Sequence, residues 1–343
     1  MTSSPSSCIL TSMTMKNPLR DCLAHMLPES LFSNTKLSVP EYSVKFGTDT
    51  EIRILQISDL HSNDYGGKDG ILACRIREKQ PDLIVMTGDI FDIDMGKEKA
   101  FTNVQSLMEG IKGLCPVYYV PGNHEFYTDE KPFLSAIASS GAIVLTDEAT
   151  TVTVKGRSLI IAGLADPYAD LSDEQREERK EDQKAAYRLR LATLAQKAAG
   201  LAESRPAEAE AHGNGESAGS PCPSILLAHR PEYIDDYAQY EFDLIFSGHA
   251  HGGQWIIPGK INGVYAVGQG FFPKYAGGLY EIVRKQNKSE GEAAGIGTEG
   301  GQQEAGTQGN PIHFIVSRGL SYQKPAFPRF GNPCELPLVT LTL

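Results

Sequence analysis

Five short, mostly apolar runs punctuate this chain, and each ends on residues able to bind a cation. Ile52-Arg53-Ile54-Leu55-Gln56-Ile57-Ser58 leads into Asp59-Leu60-His61, Leu83-Ile84-Val85-Met86 into Thr87-Gly88-Asp89, and Val117-Tyr118-Tyr119-Val120 into Pro121-Gly122-Asn123-His124-Glu125. Their length and β-branched content predict buried strands. Helical periodicity fills the gaps, over about Lys68 to Lys79, where Gln80-Pro81 stops it, and over about Lys97 to Lys112. Strand, helix, strand, helix, strand with short connections implies right-handed crossovers and an at least partly parallel sheet. Such sheets hold ligands at the carboxyl ends of their strands.

The other two runs lie further on. Ser224-Ile225-Leu226-Leu227-Ala228 ends in His229-Arg230-Pro231-Glu232, and Phe242-Asp243-Leu244-Ile245-Phe246 in Ser247-Gly248-His249-Ala250-His251-Gly252-Gly253-Gln254. Histidines at i and i+2 of an extended segment share a face about 6 to 7 Å apart, so both imidazoles can reach one metal cluster. Residues 131–139 read as helix, and 143–145, 150–154 and 157–163 as strands of a second sheet. Strands are also expected at 278–283, 312–317 and 336–343. The charged stretch 171–202 reads as a solvated surface helix, opened by Ser172 and Gln175 in capping-box spacing.

A single domain over 41–343 is expected after a loosely ordered lead-in at 1–40. Low-complexity insertions at about 200–223 and 286–310 bury too little apolar surface to offset their ordering entropy. His25 and His212 fall in these segments and are not expected to be ligands. The net charge of −11 disfavours non-specific binding to nucleic acid. Six cysteines without C-x-x-C spacing suggest neither a zinc knuckle nor a disulfide framework, which fits a reducing, cytoplasmic setting. No signal peptide and no transmembrane run is read from the sequence.

Taken singly, each strand-end motif has an ordinary structural explanation: Asp59 could cap a helix, Asp89 could hold a turn, Asn123 could sit in a left-handed turn, and His229 could be a satisfied core histidine. Five strand ends in one chain make coincidence a poor account. Asp59, His61, Asp89, Asn123, His229, His249 and His251 form a mixed oxygen and nitrogen set without thiolate. That set suits two divalent transition ions, manganese first, with iron or zinc as alternatives. Two close dications need a bridging anion, for which Asp89 is the natural choice, and such a pair activates water for in-line attack on a phosphate ester.

The ordered motifs Asp59-x-His61, Gly88-Asp89, Gly122-Asn123-His124-Glu125, His229 and Gly248-His249-x-His251 resemble those of the calcineurin-like metallophosphoesterase superfamily. The resemblance implies a four-layer α/β/β/α sandwich of two mixed sheets flanked by helices. It puts Asp59, His61 and His251 on one metal, Asn123, His229 and His249 on the other, and Asp89 between them. It places His124 beside the scissile phosphate, as a general acid or stabiliser of developing charge. Glu125 is read as orienting His124. Gly252-Gly253-Gln254, His229-Arg230-Pro231-Glu232, Ser317-Arg318-Gly319-Leu320 and Arg329-Phe330 resemble a branch that includes UDP-2,3-diacylglucosamine pyrophosphohydrolase-like phosphodiesterases. That resemblance implies a phosphodiester or pyrophosphate substrate, nucleotide-diphosphate-linked or lipid-linked, and leaves a peripheral membrane location open. A serine/threonine protein or nucleotide phosphatase, and a non-catalytic metal-binding scaffold, share the fold as alternatives. Arg230, Arg318 and Arg329 are candidates for substrate anions or for structural ion pairs, while Trp255 and Phe271-Phe272 read as core before pocket lining.

Overall fold

The computed structural model describes residues 37–92, 96–127, 129–169, 171, 180–204, 222–257, 259–284, 311–322 and 329–343. Most of the lead-in and of both insertions lies outside them, as does the capping box at Ser172. The ladder strands are β1 (Glu41–Lys45), β2 (Glu51–Ile57), β3 (Leu83–Thr87), β4 (Val117–Val120), β5 (Ile143–Val144), β6 (Glu148–Val154), β7 (Arg157–Leu164), β8 (Ser224–Ala228), β9 (Leu244–Ser247), β10 (Gly278–Ile282), β11 (Ile312–Val316) and β12 (Leu338–Thr342). They form two six-stranded sheets, β1-β12-β2-β3-β4-β5 and β10-β11-β9-β8-β7-β6. In the first, β2, β3, β4 and β5 run parallel, while β12 is antiparallel to β2. In the second, β7, β8, β9 and β11 run parallel between the antiparallel edge strands β6 and β10.

Strand alternation divides the apolar residues among three cores. Ile52, Ile54, Leu83 and Val85 face Ile161, Leu227, Leu244 and Phe246 between the sheets. The opposite face of the first sheet, with Leu55, Ile57, Ile84 and Met86, is covered by α1 (Ile71–Lys79), α2 (Lys97–Ile111) and, beyond the one-turn α3 (Asn123–Phe126), by α4 (Lys131–Ser139). Both faces of these strands are therefore buried, which is why they read as apolar runs rather than alternating ones. The outer face of the second sheet is covered by α5 (Lys180–Glu203) and the short α6 (Ile234–Tyr237). The result is the four-layer α/β/β/α sandwich that the motif resemblance implied.

Two sequence expectations change. The 143–144 strand joins the first sheet, parallel to β4, instead of opening the second. The helix read as solvated is a structural layer: Tyr187, Leu191, Leu194 and Ala198 are buried against the second sheet. Among the described residues no helix is long and apolar enough to cross a membrane.

Candidate metal centre

All five polar strand ends emerge on one edge of the sandwich. Asp59, Asp89 and Asn123 follow the parallel neighbours β2, β3 and β4, and His229 and His249 follow the parallel neighbours β8 and β9. The seam between the sheets is fixed beneath them by Gln56, whose Nε2 donates to Thr87 Oγ1 and to Ser247 O, both at 2.8 Å. One buried side chain thus ties three strand ends from two sheets.

The ligand atoms of Asp59, His61 and His251 lie within 4.8 Å of one another, as do those of Asp89, His229 and His249. His61 Nδ1 lies 3.0 Å from Asp92 Oδ2. His229 Nδ1 lies 2.7 Å from Thr87 O, and a carbonyl oxygen can only accept, so this nitrogen carries the proton. In both rings the hydrogen bond leaves Nε2 as the lone-pair atom. These Nε2 atoms face another imidazole nitrogen, His61 towards His251 Nε2 and His229 towards His249 Nδ1, each at 3.2 Å. Nitrogen lone pairs so directed repel unless a proton or a cation lies between them. Asp89 Oδ2 sits between the two pairs, 3.2 Å from His229 Nε2 and 3.7 Å from His61 Nε2.

Asn123 supports the same fit. Its Nδ2 donates to Tyr127 OH at 3.1 Å, whereas its buried Oδ1 has no hydrogen-bond partner. A buried amide oxygen without a donor is costly unless a cation takes that position. The residues present therefore fit two oxygen- and nitrogen-bound divalent ions.

The electrostatics point the same way. Burial opposes ionisation of Asp89, but His229 and His124 outweigh it and hold the carboxyl well below its usual range. Burial disfavours protonated His229, yet Asp89 and then Asp59 raise it to about 10. Burial lifts Asp59 to about 6 against the pull of His229. Burial, then the Arg230 and His229 charges, push His249 well below the usual imidazole range. The buried carboxylates thus draw protons onto a neighbouring ring, a demand that bound cations would replace.

The backbone is strained where it delivers these groups. Asp59, His61, Asp89, His249 and His251 have φ of 49°, 46°, 51°, 63° and 47°. Such left-handed angles are uncommon outside glycine and persist only where surrounding structure over-determines them. Close packing does so here: a Cβ on Gly122 would collide with Asp89 Oδ1 and lie 2.6 Å from Asp89 N. His249 N donates to Asp59 Oδ1 at 2.9 Å, which joins the two sheets through a candidate ligand.

Glu125, Phe271 and Phe272 depart from the sequence reading, and Arg230 takes the structural one of its two expected roles. Glu125 does not orient His124. Its Oε2 accepts from Asp89 N and Gly122 N at 3.0 and 2.8 Å, and its Oε1 from Ile90 N and Phe91 N at 2.7 and 3.1 Å. The carboxylate beside His124 is Asp92, whose Oδ2 is 3.4 Å from His124 Nδ1. Burial raises the Asp92 pKa, but hydrogen bonds to His124 and His61 outweigh it and hold the carboxyl far below its usual range. Sequence reasoning passed over Asp92, although the Gly-Asp-x-x-Asp spacing from Asp89 was visible. Arg230 is buried in a two-point contact with Asp166, at 2.6 and 3.3 Å, under the Tyr168 ring. Phe271 and Phe272, expected in the core, are 74% and 68% exposed.

The profile of the calcineurin-like phosphoesterases matches residues 52–253, the span that contains all seven candidate ligands. The chain belongs to the calcineurin-like phosphoesterase family. An uncharacterised metallophosphoesterase of Helicobacter pylori J99 is 26% identical over 277 residues, which is 80% of this chain and 60% of that protein. One from strain 26695 is 27% identical over 209 residues, 60% of this chain and 46% of that protein, so the chain spans about half the length of these two relatives. Phosphodiesterase YaeI of Escherichia coli K12 is 25% identical over 237 residues, covering 66% of this metallophosphoesterase and 69% of that protein. Among solved structures, a dimetal phosphatase from Danio rerio has TM-score 0.38 and 14% identity, covering 80% of this chain and 90% of that one.

Proposed function

We propose that this metallophosphoesterase hydrolyses a phosphodiester or pyrophosphate linkage at a dinuclear metal centre. The observation that carries the reading is the pair of opposed imidazole contacts, His61 with His251 and His229 with His249, on either side of the Asp89 carboxylate. Asp59, His61 and His251 would hold one ion, Asn123, His229 and His249 the other, with Asp89 between. Bound there, manganese, or iron or zinc in its place, would acidify a water and neutralise phosphoryl oxygens. His124, 18% exposed at the side chain, borders the substrate side and hands a proton to the departing oxygen. Asp92 holds the His124 ring by Nδ1, which leaves Nε2 for the substrate. His124 also groups with His61 and Asp89 within 4.8 Å, so its assignment as acid rather than ligand rests on this Asp92 contact and on its exposure.

Charge favours the diester over the monoester. A monoester dianion calls for cationic side chains beyond the ions. Arg230 is engaged by Asp166, Arg318 contacts Glu335 and Asn262, and Arg329 donates to the Ser321 and Arg318 carbonyls, so each is held in the protein although Nη1 of Arg318 and of Arg329 makes no hydrogen bond among the described residues. A diester or a pyrophosphate linkage carries one negative charge per phosphorus and makes the smaller demand. The E. coli relative, which bears the name phosphodiesterase, agrees with this. The test is elemental analysis after manganese reconstitution, with turnover of diester, monoester and nucleotide-diphosphate substrates. Close to two ions per chain and chelator-sensitive cleavage of diester or pyrophosphate are expected. Less than about one ion per chain, with activity indifferent to chelator, would overturn the dinuclear reading. A clear preference for monoesters would overturn the diester reading.

A further inference from the structure

Between Asp243 and Glu281 the chain has no acidic residue, although 43 Asp and Glu in 343 positions average about one in eight. Lys260 and Lys274 lie in this stretch, which is therefore locally basic in a chain of net charge −11. Its middle is a hairpin, Tyr265–Ala266 paired with Gly270–Phe271. Among the described residues ten large hydrophobic side chains are exposed, and five of them fall here: Ile257, Tyr265, Val267, Phe271 and Phe272.

The hairpin is held firmly, so the outward rings are not a sign of loose packing. Val264 N donates to Gly253 O at 2.9 Å, Phe272 N to Val264 O at 2.8 Å, and the Gln269 amide bonds both the N–H and the carbonyl of Tyr275. Ala266 and Tyr275 are buried beneath it. Its turn borders the metal centre: Gly268 packs on the Glu232 carboxylate, whose Oε1 lies 4.0 Å from His249 Nε2. Of the carboxylates near the hairpin, Glu232 is turned inward to Arg230, and Asp235 adds only a lesser influence on Lys274, whose ammonium lies over the Tyr275 ring.

We propose that this hairpin docks the rim of the metal centre onto an anionic lipid bilayer, with Val267, Phe271 and Phe272 entering the interface and Lys260 and Lys274 facing lipid phosphates. This acid-free stretch, with Glu232 turned inward beneath it, is where so acidic a molecule can approach a negative surface. Lipid suits it better than a protein partner. From Val264 to Pro273 the polar side chains are Tyr265 and Gln269, and Gln269 is directed inward, whereas a protein interface carries about one hydrogen bond per 100 to 200 Å². Apolar insertion combined with lysine attraction is the two-signal arrangement that peripheral proteins need for stable anchoring.

The inference stands apart from the proposed chemistry, because its readout is binding without turnover. The full chain is sedimented with vesicles of phosphatidylcholine alone, or with about 30% phosphatidylglycerol, at low and high salt. Binding to the anionic vesicles, weakened by salt, is expected. Phe271→Ser with Phe272→Ser should lower the partition coefficient at least about tenfold, and Lys260→Gln with Lys274→Gln about as much on anionic vesicles alone. Both variants should keep wild-type metal content and turnover of a soluble nitrophenyl diester, which separates docking from folding. Failure of the wild type to bind, or binding unchanged by the phenylalanine variant, would overturn the proposal. So would a dimer in light scattering that the phenylalanine variant dissociates while vesicles are ignored, since the occupant would then be a second copy of the chain.

Discussion

Glu125→Gln tests how the loop after β3 is held. In the wild type the carboxylate accepts four backbone N–H groups, from Gly122, Asp89, Ile90 and Phe91, at 2.7 to 3.1 Å. A glutamine amide keeps one oxygen, so either orientation turns a donor towards two donors. Each buried N–H left without an acceptor costs about 1 to 3 kcal/mol, a gross loss of about 2 to 6 kcal/mol. The substitution also relieves an opposing cost, since burial and then the Asp89 charge raise the Glu125 pKa. We therefore expect a net loss towards the lower end of that range, about 2 to 3 kcal/mol. Urea unfolding with chelator present isolates this from metal linkage, and the midpoint should fall by about 1 M. The metal-loaded variant should also bind its ions more weakly, because Asp89 hangs from the same loop. A midpoint within about 0.2 M of wild type, with turnover lost all the same, would refute the reasoning and return Glu125 to His124.

Four other outcomes are expected. His124→Ala should keep both ions yet lose about 10² to 10⁴ in turnover of an alkyl diester, and less for a nitrophenyl diester whose leaving group needs no proton; a lost ion in elemental analysis would make His124 a ligand. Asn123→Ala should weaken one ion in a metal titration, with activity partly rescued by excess manganese, because it removes the amide oxygen together with the Nδ2 bond to Tyr127 and leaves the other candidate ligands in place. Asp92→Asn should cost about 10- to 100-fold in metal affinity or turnover, measured in the same titration, since it releases both His61 and His124. The metal-free protein should lose stability in urea unfolding as pH rises from about 7 through about 10: the His229 pKa is raised by Asp89, so its contribution is complete below 6.5 and gone above the folded value. Saturating manganese should flatten that decline.

The five strand ends were legible because buried parallel strands are apolar on both faces, so the polar residue that ends each run stands out. The partners that hold those residues were harder to see. Gln56 lies inside a strand-like run, and only the meeting of two sheets gives it Thr87 and Ser247. Glu125 follows His124 directly, which suggested a shared task, yet on the one-turn helix α3 its carboxylate turns to the loop after β3. The apolar stripe of α5, at 187, 191, 194 and 198, has helical spacing but is set among alanine and charge, and the charge dominated the reading. Phe271 and Phe272 failed as core residues because apolar character says what can be buried and not what is. Arg230 was ambiguous until Asp166, 64 positions away, was brought against it.

The division of the candidate ligands between two sheets explains why so much of this molecule supports one edge. Asp59, His61, Asp89 and Asn123 come from the first sheet, and His229, His249 and His251 from the second. An ion bound by both groups would resist any sliding of one sheet over the other, and would itself be lost if they slid. Left-handed backbone at Asp59, Asp89 and His249 can be kept only if the strands behind them cannot relax. Three features prevent that relaxation: the apolar interior from Ile54 to Phe246, the Gln56 bridge, and the bond from His249 N to Asp59. Each would hold with no cation present, so the site is preorganised by the fold, and metal binding need not build it. The free energy of binding can then stabilise the seam as a whole, which makes cation affinity and sheet–sheet packing two readings of one coupled equilibrium.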